Sequence, residues 1–208
     1  MEEQPKIMIG EQIFTNYADA LTYVENLDQS ELDEDKSSII DFLRLHMKIE
    51  QINAESSKNR RKELELKCVP LANEQIAKLS PEEFDDKILM RAELSKLSGS
   101  ENSVLWQLEA IDILEMEVNN GGFHQYFLNT ENKNSTEAIK GLILIDANTH
   151  LTLLEKAIKI YNEHWEDDEL SMEKMGELDK EFYALESIQA IRINYLVRNK
   201  KKFEDFLN

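Results

Sequence analysis

Cysteine, proline and glycine are all scarce in this 208-residue chain, at one, three and six residues. A single cysteine, Cys68, excludes an intrachain disulfide, removes zinc-ribbon arrangements and fits a reducing compartment. With so few backbone breakers, long helices are expected. No apolar run approaches the roughly 18 residues of a membrane span. The start of the chain, Met1-Glu2-Glu3-Gln4-Pro5-Lys6, has neither the basic nor the apolar region of a secretory signal. The expected location is the cytoplasm. Positive charge is also short: Lys and Arg number 24 against 42 Asp and Glu, a formal net charge of −18. Such a field repels nucleic acid and anionic membranes and steers a basic protein inward. Ordinary solubility is the plainer use of the same charge.

What is present reads as helix nearly throughout. Residues 1–10 are a loose start. Ile13, Phe14, Tyr17, Ala20, Leu21 and Val24 fall at helical spacing and predict a first helix from Glu11 to about Leu27. Ser30 is the predicted cap of a second, with Glu31, Asp33, Glu34 and Asp35 in its opening turns and Ile39, Ile40, Leu43, Met47 and Ile52 inward. The basic patch Lys58, Arg60, Arg61, Lys62 and Lys67 has no interleaved aromatics, so it reads as a solvated helix face ending before Pro70. Ser80-Pro81-Glu82-Glu83 combines an N-cap serine, a first-turn proline and a capping-box glutamate, and its helix runs to about Leu97. Ser98-Gly99-Ser100 is the compositional candidate for a domain boundary.

From Ser103, Val104, Leu105, Leu108, Ile111, Leu114 and Val118 form one apolar stripe, with Glu109, Asp112 and Glu115 or Glu117 on other faces. Asn119, Asn120, Gly121 and Gly122 end that helix, because left-handed backbone costs glycine little and asparagine less than most. Phe123, Tyr126, Phe127 and Leu128 then form the face of a short new helix, and Asn129 to Ser135 a loop. Helices at 136–145 and 148–161 follow, placing Leu142, Ile145, Leu151, Leu154, Ile158 and Tyr161 inside. Glu163 to Glu181 is the most acidic window, nine acids against Lys174 and Lys180. Leu178, Phe182, Leu185, Ile188, Ile191 and Tyr195 carry a further helical stripe. The tail reverses sign with Arg192, Arg198, Lys200, Lys201 and Lys202. No strand pattern emerges, and the expected class is all-α.

Motifs for chemistry are missing. The chain has no Gly-x-Gly-x-x-Gly, Walker or Gly-x-Ser-x-Gly pattern, and its histidines (His46, His124, His150, His164) form no His-Glu-x-x-His or Glu-x-x-His arrangement. No catalytic, cofactor-binding or metal-binding residue is assigned. His124, beside the glycine pair and one helix after Glu115 and Glu117, is the one candidate ligand, with a capping or surface role as the simpler reading. Phe123, Tyr126 and Phe127 read as core. An exposed Tyr126, or Trp165, would instead anchor a partner.

Asn120-Gly121-Gly122-Phe123, followed by Gln125-Tyr126-Phe127 and Asn129, resembles the signature of a bacterial helical family named after a DNA-mimic protein and otherwise made of domains of unknown function. Glu117-Val118-Asn119 precedes it as in the family pattern. Ala138 to Ala147 is similar to the family's next helix, with Asp146 where glycine is common. Leu178-Asp179-x-Glu181-Phe182-Tyr183 resembles its late acidic-aromatic block, and Tyr126 replaces a usual phenylalanine. The resemblance covers roughly residues 85–207. It implies a helical domain at 85–208. Residues 1–84 lie outside the resemblance and are expected to form an N-terminal helical region, with no role assigned, packed on that domain.

The resemblance further implies that an acidic surface imitates the DNA phosphate array and occupies the DNA-binding face of a basic protein such as a transcriptional regulator. Glu163, Glu166, Asp167, Asp168, Glu169, Glu173 and Glu177 are the expected surface, acting without enzymatic chemistry, cofactor or direct nucleic-acid contact. A homodimer is the accompanying expectation. Two rival readings stand beside it: an immunity or antitoxin-like protein that blocks a basic toxin or nuclease, and a hydrolase or metal protein using His124.

Overall fold

The computed structural model describes residues 6–28, 30, 32, 35–100 and 102–208. The described residues are helical apart from one small hairpin, and the chain divides into two compact units, the first up to Arg60 and the second from Arg61.

The first unit opens with strands β1 (Ile7–Ile9) and β2 (Gln12–Phe14), antiparallel, with Ile7 opposite Phe14 and Met8 opposite Ile13. Gly10 turns the chain at φ +58°, a left-handed geometry that glycine adopts without strain. The expected helix from Glu11 is therefore corrected. Three-residue strands offer too few positions for a period of two to appear, and Ile13, counted in the helical spacing, is 61% exposed. Helix α1 (Tyr17–Asn26) begins where Asn16 accepts the Asp19 N–H at 2.8 Å. Helix α2 (Lys36–Lys67) is capped by Asp35, which accepts the Ser38 N–H at 3.0 Å, in place of Ser30. Glu31, Asp33 and Glu34 lie outside the described residues. Ile9, Ala20, Val24 and Leu43 form this unit's core, flanked by Phe14, Tyr17 and Ile39. Ile52, assigned inward, is 56% exposed.

The basic residues Lys58, Arg60, Arg61, Lys62 and Lys67 are exposed, as the composition predicts, while Leu64 between them is buried. Arg61 and Glu65, and Lys67 and Glu63, pair along the helix surface at i,i+4 spacing.

In the second unit, helix α3 (Asn73–Lys78) is a short element that the sequence pattern did not reveal. Helix α4 (Pro81–Leu97) starts with the full capping box: Ser80 Oγ accepts the Glu83 N–H, and Glu83 accepts the Ser80 N–H. Ser98-Gly99-Ser100 is the turn that joins α4 to helix α5 (Ser103–Thr130), and these two helices pack against each other. Helices α6 (Ser135–Leu144), α7 (Asn148–His164), α8 (Asp168–Tyr183), α9 (Ile188–Arg198) and the short α10 (Lys200–Phe203) complete the unit. The single stripe expected from Leu178 to Tyr195 is split between α8 and α9 at Ala184–Ser187.

Helix α5 is the spine, packed by α4, α6, α8 and α9. Its stripe Leu105, Leu108, Ile111, Leu114 and Val118 is buried with Phe84, Ile88, Leu142, Leu154, Phe182 and Leu196. Each such side chain contributes about 1.5–3 kcal/mol by leaving water. Helix α6 approaches α5 so closely that a Cβ at Gly141 would stand 2.4 Å from the Gln107 carbonyl oxygen. Only glycine fits that crossing.

An ionic node ties α9 to the spine. The fully buried Arg192 bonds both oxygens of buried Asp85 (2.8 and 2.9 Å) and reaches Asp112 at 2.9 Å. Glu115, expected on an outer face, is also buried. Its two carboxylate oxygens accept the N–H groups of Ile188 and Gln189, each at 2.7 Å, at the start of α9. A carboxylate there satisfies two orphan donors and opposes the positive end of the helix dipole.

Candidate functional site

The Asn120-Gly121-Gly122-Phe123 block is a helix stop followed at once by a helix start. Gly121 (φ −167°, ψ 25°) and Gly122 (φ +79°, ψ −178°) leave helical geometry inside α5. The conformation at Gly122 is open essentially to glycine alone. The Phe123 N–H then donates to Asp179 Oδ1 at 2.8 Å, so a carboxylate from α8 caps the new helix turn. Tyr183, one turn further along α8, donates its hydroxyl to the Val118 carbonyl at 2.8 Å and so satisfies an acceptor at the end of the first half. Phe182 meets Phe123 edge-on at 5.5 Å between ring centres. The glycine block and the late acidic-aromatic block are therefore two sides of one joint. Burial holds the Asp179 carboxyl above its ordinary pKa, against the opposing pull of the Phe123 N–H.

Phe123, Tyr126 and Phe127 are fully buried, as expected, while Leu128 is 56% exposed and falls off that face. Tyr126 shares a hydrogen bond with Ser135 at 3.2 Å and is at 0% exposure, so it belongs to the core and is no partner anchor. Trp165 is the half-buried aromatic of the pair. It stacks on His124 at 5.1 Å and meets Tyr161 at a tilt at 4.5 Å, extending a run of ring contacts from Phe127.

The carboxylates near His124 in sequence are committed elsewhere. Both Glu115 oxygens hold the start of α9, and Glu117 accepts from Asn129 Nδ2 at 2.7 Å. Among the described residues no group of three or more His, Cys, Asp or Glu is arranged to hold a metal ion.

The acidic window spans three pieces of structure. Glu163 sits in the last turn of α7, with Lys159 at 3.9 Å. Glu166 lies in the exposed turn, and Asp167 caps α8 by accepting the Leu170 N–H at 3.1 Å. Asp168 is the first residue of α8, and its side chain lies outside what is described. Along α8 the buried side is Ser171, Met175, Leu178 and Phe182, and the exposed side carries Glu169, Glu173, Glu177 and Glu181 at strict four-residue intervals. One lysine contact tempers the row, Lys180 to Glu177 at 2.6 Å. Glu181, outside the expected set, extends it by one step, which its spacing from Glu177 would have signalled. Asp179 is no part of the row, and its carboxylate turns inward to Phe123.

These features define an all-helical domain whose acidic helix is fixed to its spine by the glycine joint. Residues 95–199, half of the chain, match the family described as DMP19-like protein. The chain belongs to that DNA-mimic family. The match starts in the last turn of α4 and ends just past α9, so it takes in the joint, the acidic row and the Glu115 cap. The chain matches no curated protein and no solved structure. Among the described residues no helix is long and apolar enough to cross a membrane.

Proposed function

We propose that this protein is a cytoplasmic, non-enzymatic DNA mimic whose α8 face occupies the DNA-binding surface of a basic protein such as a transcriptional regulator. The acting residues are Glu163, Glu166, Asp167, Asp168, Glu169, Glu173 and Glu177, joined by Glu181. The observation that carries this reading is the row Glu169, Glu173, Glu177 and Glu181. Carboxylates four residues apart on a helix stand about 6 Å from one another, and duplex DNA presents one charge per roughly 1.7 Å of axis. A row of carboxylates along one helix edge thus offers a basic groove a regularly spaced anionic track. The opposite edge of α8 lies in the core, so the track is held by a rigid scaffold, which lowers the ordering cost of binding. Trp165, at the α7–α8 turn, is the aromatic contact beside it.

The test is affinity capture from native lysate on the full chain, eluted with a salt gradient. DNA-binding proteins released at moderate salt, and competed off by duplex DNA, support mimicry. Recovery of a nuclease or toxin moves the same acidic face to an immunity role. Retention of no basic protein at any salt reduces the −18 charge to solubility.

A further inference from the structure

Helix α2 carries apolar side chains that are left in water. Phe42, Leu45, Ile49 and Ile52 are 53%, 56%, 41% and 56% exposed, while neighbouring Leu43 is 1% exposed in the core of the first unit. Their spacing is three, four and three residues, the a–d–a–d register in which two helices wrap each other. From Lys48 to Glu63 every residue of α2 is exposed, so that stretch has no covered face at all. Helices in proteins draw most of their stability from a packed face.

We propose that two copies of this chain dimerise through α2 as a short parallel coiled coil, with Phe42, Leu45, Ile49 and Ile52 as its seam. The flanking charges select both the occupant and its direction. With Phe42 at a, the g positions are Asp41, Lys48 and Glu55 and the e positions His46, Asn53 and Arg60. In a parallel pair each g residue faces the e residue five places on in the second copy. Asp41 then meets His46, Lys48 meets Asn53 and Glu55 meets Arg60, without a like-charge contact along the seam. An antiparallel pair centred on the same residues sets Lys48 against Lys48 and Asp41 against Glu55. The wider field agrees. Residues 36–67 hold eight Lys and Arg against five Asp and Glu, whereas the whole chain is at −18. Helix α2 thus lets two acidic molecules meet with little repulsion. This dimer is independent of what the α8 face binds.

Sedimentation equilibrium of the full chain tests it. The expected result is a reversible dimer dissociating at concentrations on the order of micromolar. Leu45→Glu with Ile52→Glu abolishes it, and circular dichroism shows a chain that stays folded and loses at most the helical signal of the uncovered stretch of α2, because both side chains are over half exposed in the single chain. Glu55→Lys weakens the dimer by about tenfold, and adding Arg60→Glu restores it. Ser56→Cys, at the next a position, cross-links to its own mate under mild oxidation. The wild-type chain, whose Cys68 is buried, is the control. A monomer at ~100 μM, or a dimer indifferent to the Leu45 and Ile52 changes, overturns the proposal. Failure of the Ser56→Cys dimer to cross-link overturns the parallel arrangement.

Discussion

Asp179 stands so close to Gly122 that a Cβ on residue 122 would lie 2.3 Å from its Oδ2 oxygen. The same carboxylate accepts the Phe123 N–H. One acidic side chain therefore explains why the glycine and the helix restart occur together, and why α8 is held where it is.

Replacing Gly122 tests that joint. Gly122→Ala meets a backbone at φ +79° and a carboxylate already occupying its space, so a loss of about 3 kcal/mol or more is expected in urea unfolding. Asp179→Ala removes a cap worth about 1–2 kcal/mol. Because the two residues share one contact, the double variant should lose less than the two single losses combined. Strict additivity would mean that the contact is incidental.

How much of this was legible in the sequence depended on the distance between partners. Ser80, Pro81 and Glu83 lie within one turn, so the capping box is legible directly. The stop at Gly121 and Gly122 and the buried Phe123, Tyr126 and Phe127 were likewise local. In the sequence Asp179 is only one of the nine acids of its window, because its partner is 56 residues away, and Glu115 reads as an outer-face residue because its partners are 73 and 74 residues away. Composition cannot distinguish a capping carboxylate from a solvated one. The hairpin is hidden in the sequence because Ile13, Phe14 and Tyr17 continue the helical spacing of α1. The four-residue row on α8 was visible as spacing, whereas its exposed side required the packing of Met175 and Phe182.

Asp146 offers a prediction of opposite sign. It follows α6 at φ +59°, in the left-handed region where the family pattern favours glycine. Asp146→Gly relieves that backbone strain and is expected to stabilise the fold by up to ~1 kcal/mol. An unchanged or lower urea midpoint would contradict this.

The Arg192 node should behave as a buried pair broken on one side. Asp85→Ala leaves a buried guanidinium without its bidentate partner, and a loss of about 3–5 kcal/mol is expected. Replacing both Asp85 and Arg192 with apolar residues of similar volume should recover part of that loss, as read by thermal and urea unfolding. A double variant worse than Asp85→Ala alone would contradict it.

Stability should also fall in mild acid through His150. This residue is 3% exposed and meets Phe182 edge-on. Burial holds its imidazole below the ordinary pKa, against the opposing influence of Glu186. The unfolded chain therefore takes up this proton first. The contribution of a neutral His150 is full above about pH 6.5 and is lost as pH falls toward the folded value. Asp179 and Glu109, whose carboxyls burial raises, act with the opposite sign at lower pH. The effect is thus read as the difference between wild type and His150→Gln, whose urea midpoints should converge as pH drops from about 7.5 to 5.5. Parallel profiles would exclude the histidine as the cause.

The central claim, that the α8 row stands in for DNA, is tested most directly by competition. A DNA-binding protein captured on this chain is loaded with fluorescent duplex, and displacement is followed by anisotropy with wild type and with Glu169→Gln, Glu173→Gln and Glu177→Gln combined. These side chains are exposed, so the variant should keep its stability within about 0.5 kcal/mol. The account predicts that wild type displaces the duplex with steep salt dependence, and that the triple variant needs at least about tenfold more protein and loses much of that dependence. Equal displacement by both proteins at every salt concentration would contradict it.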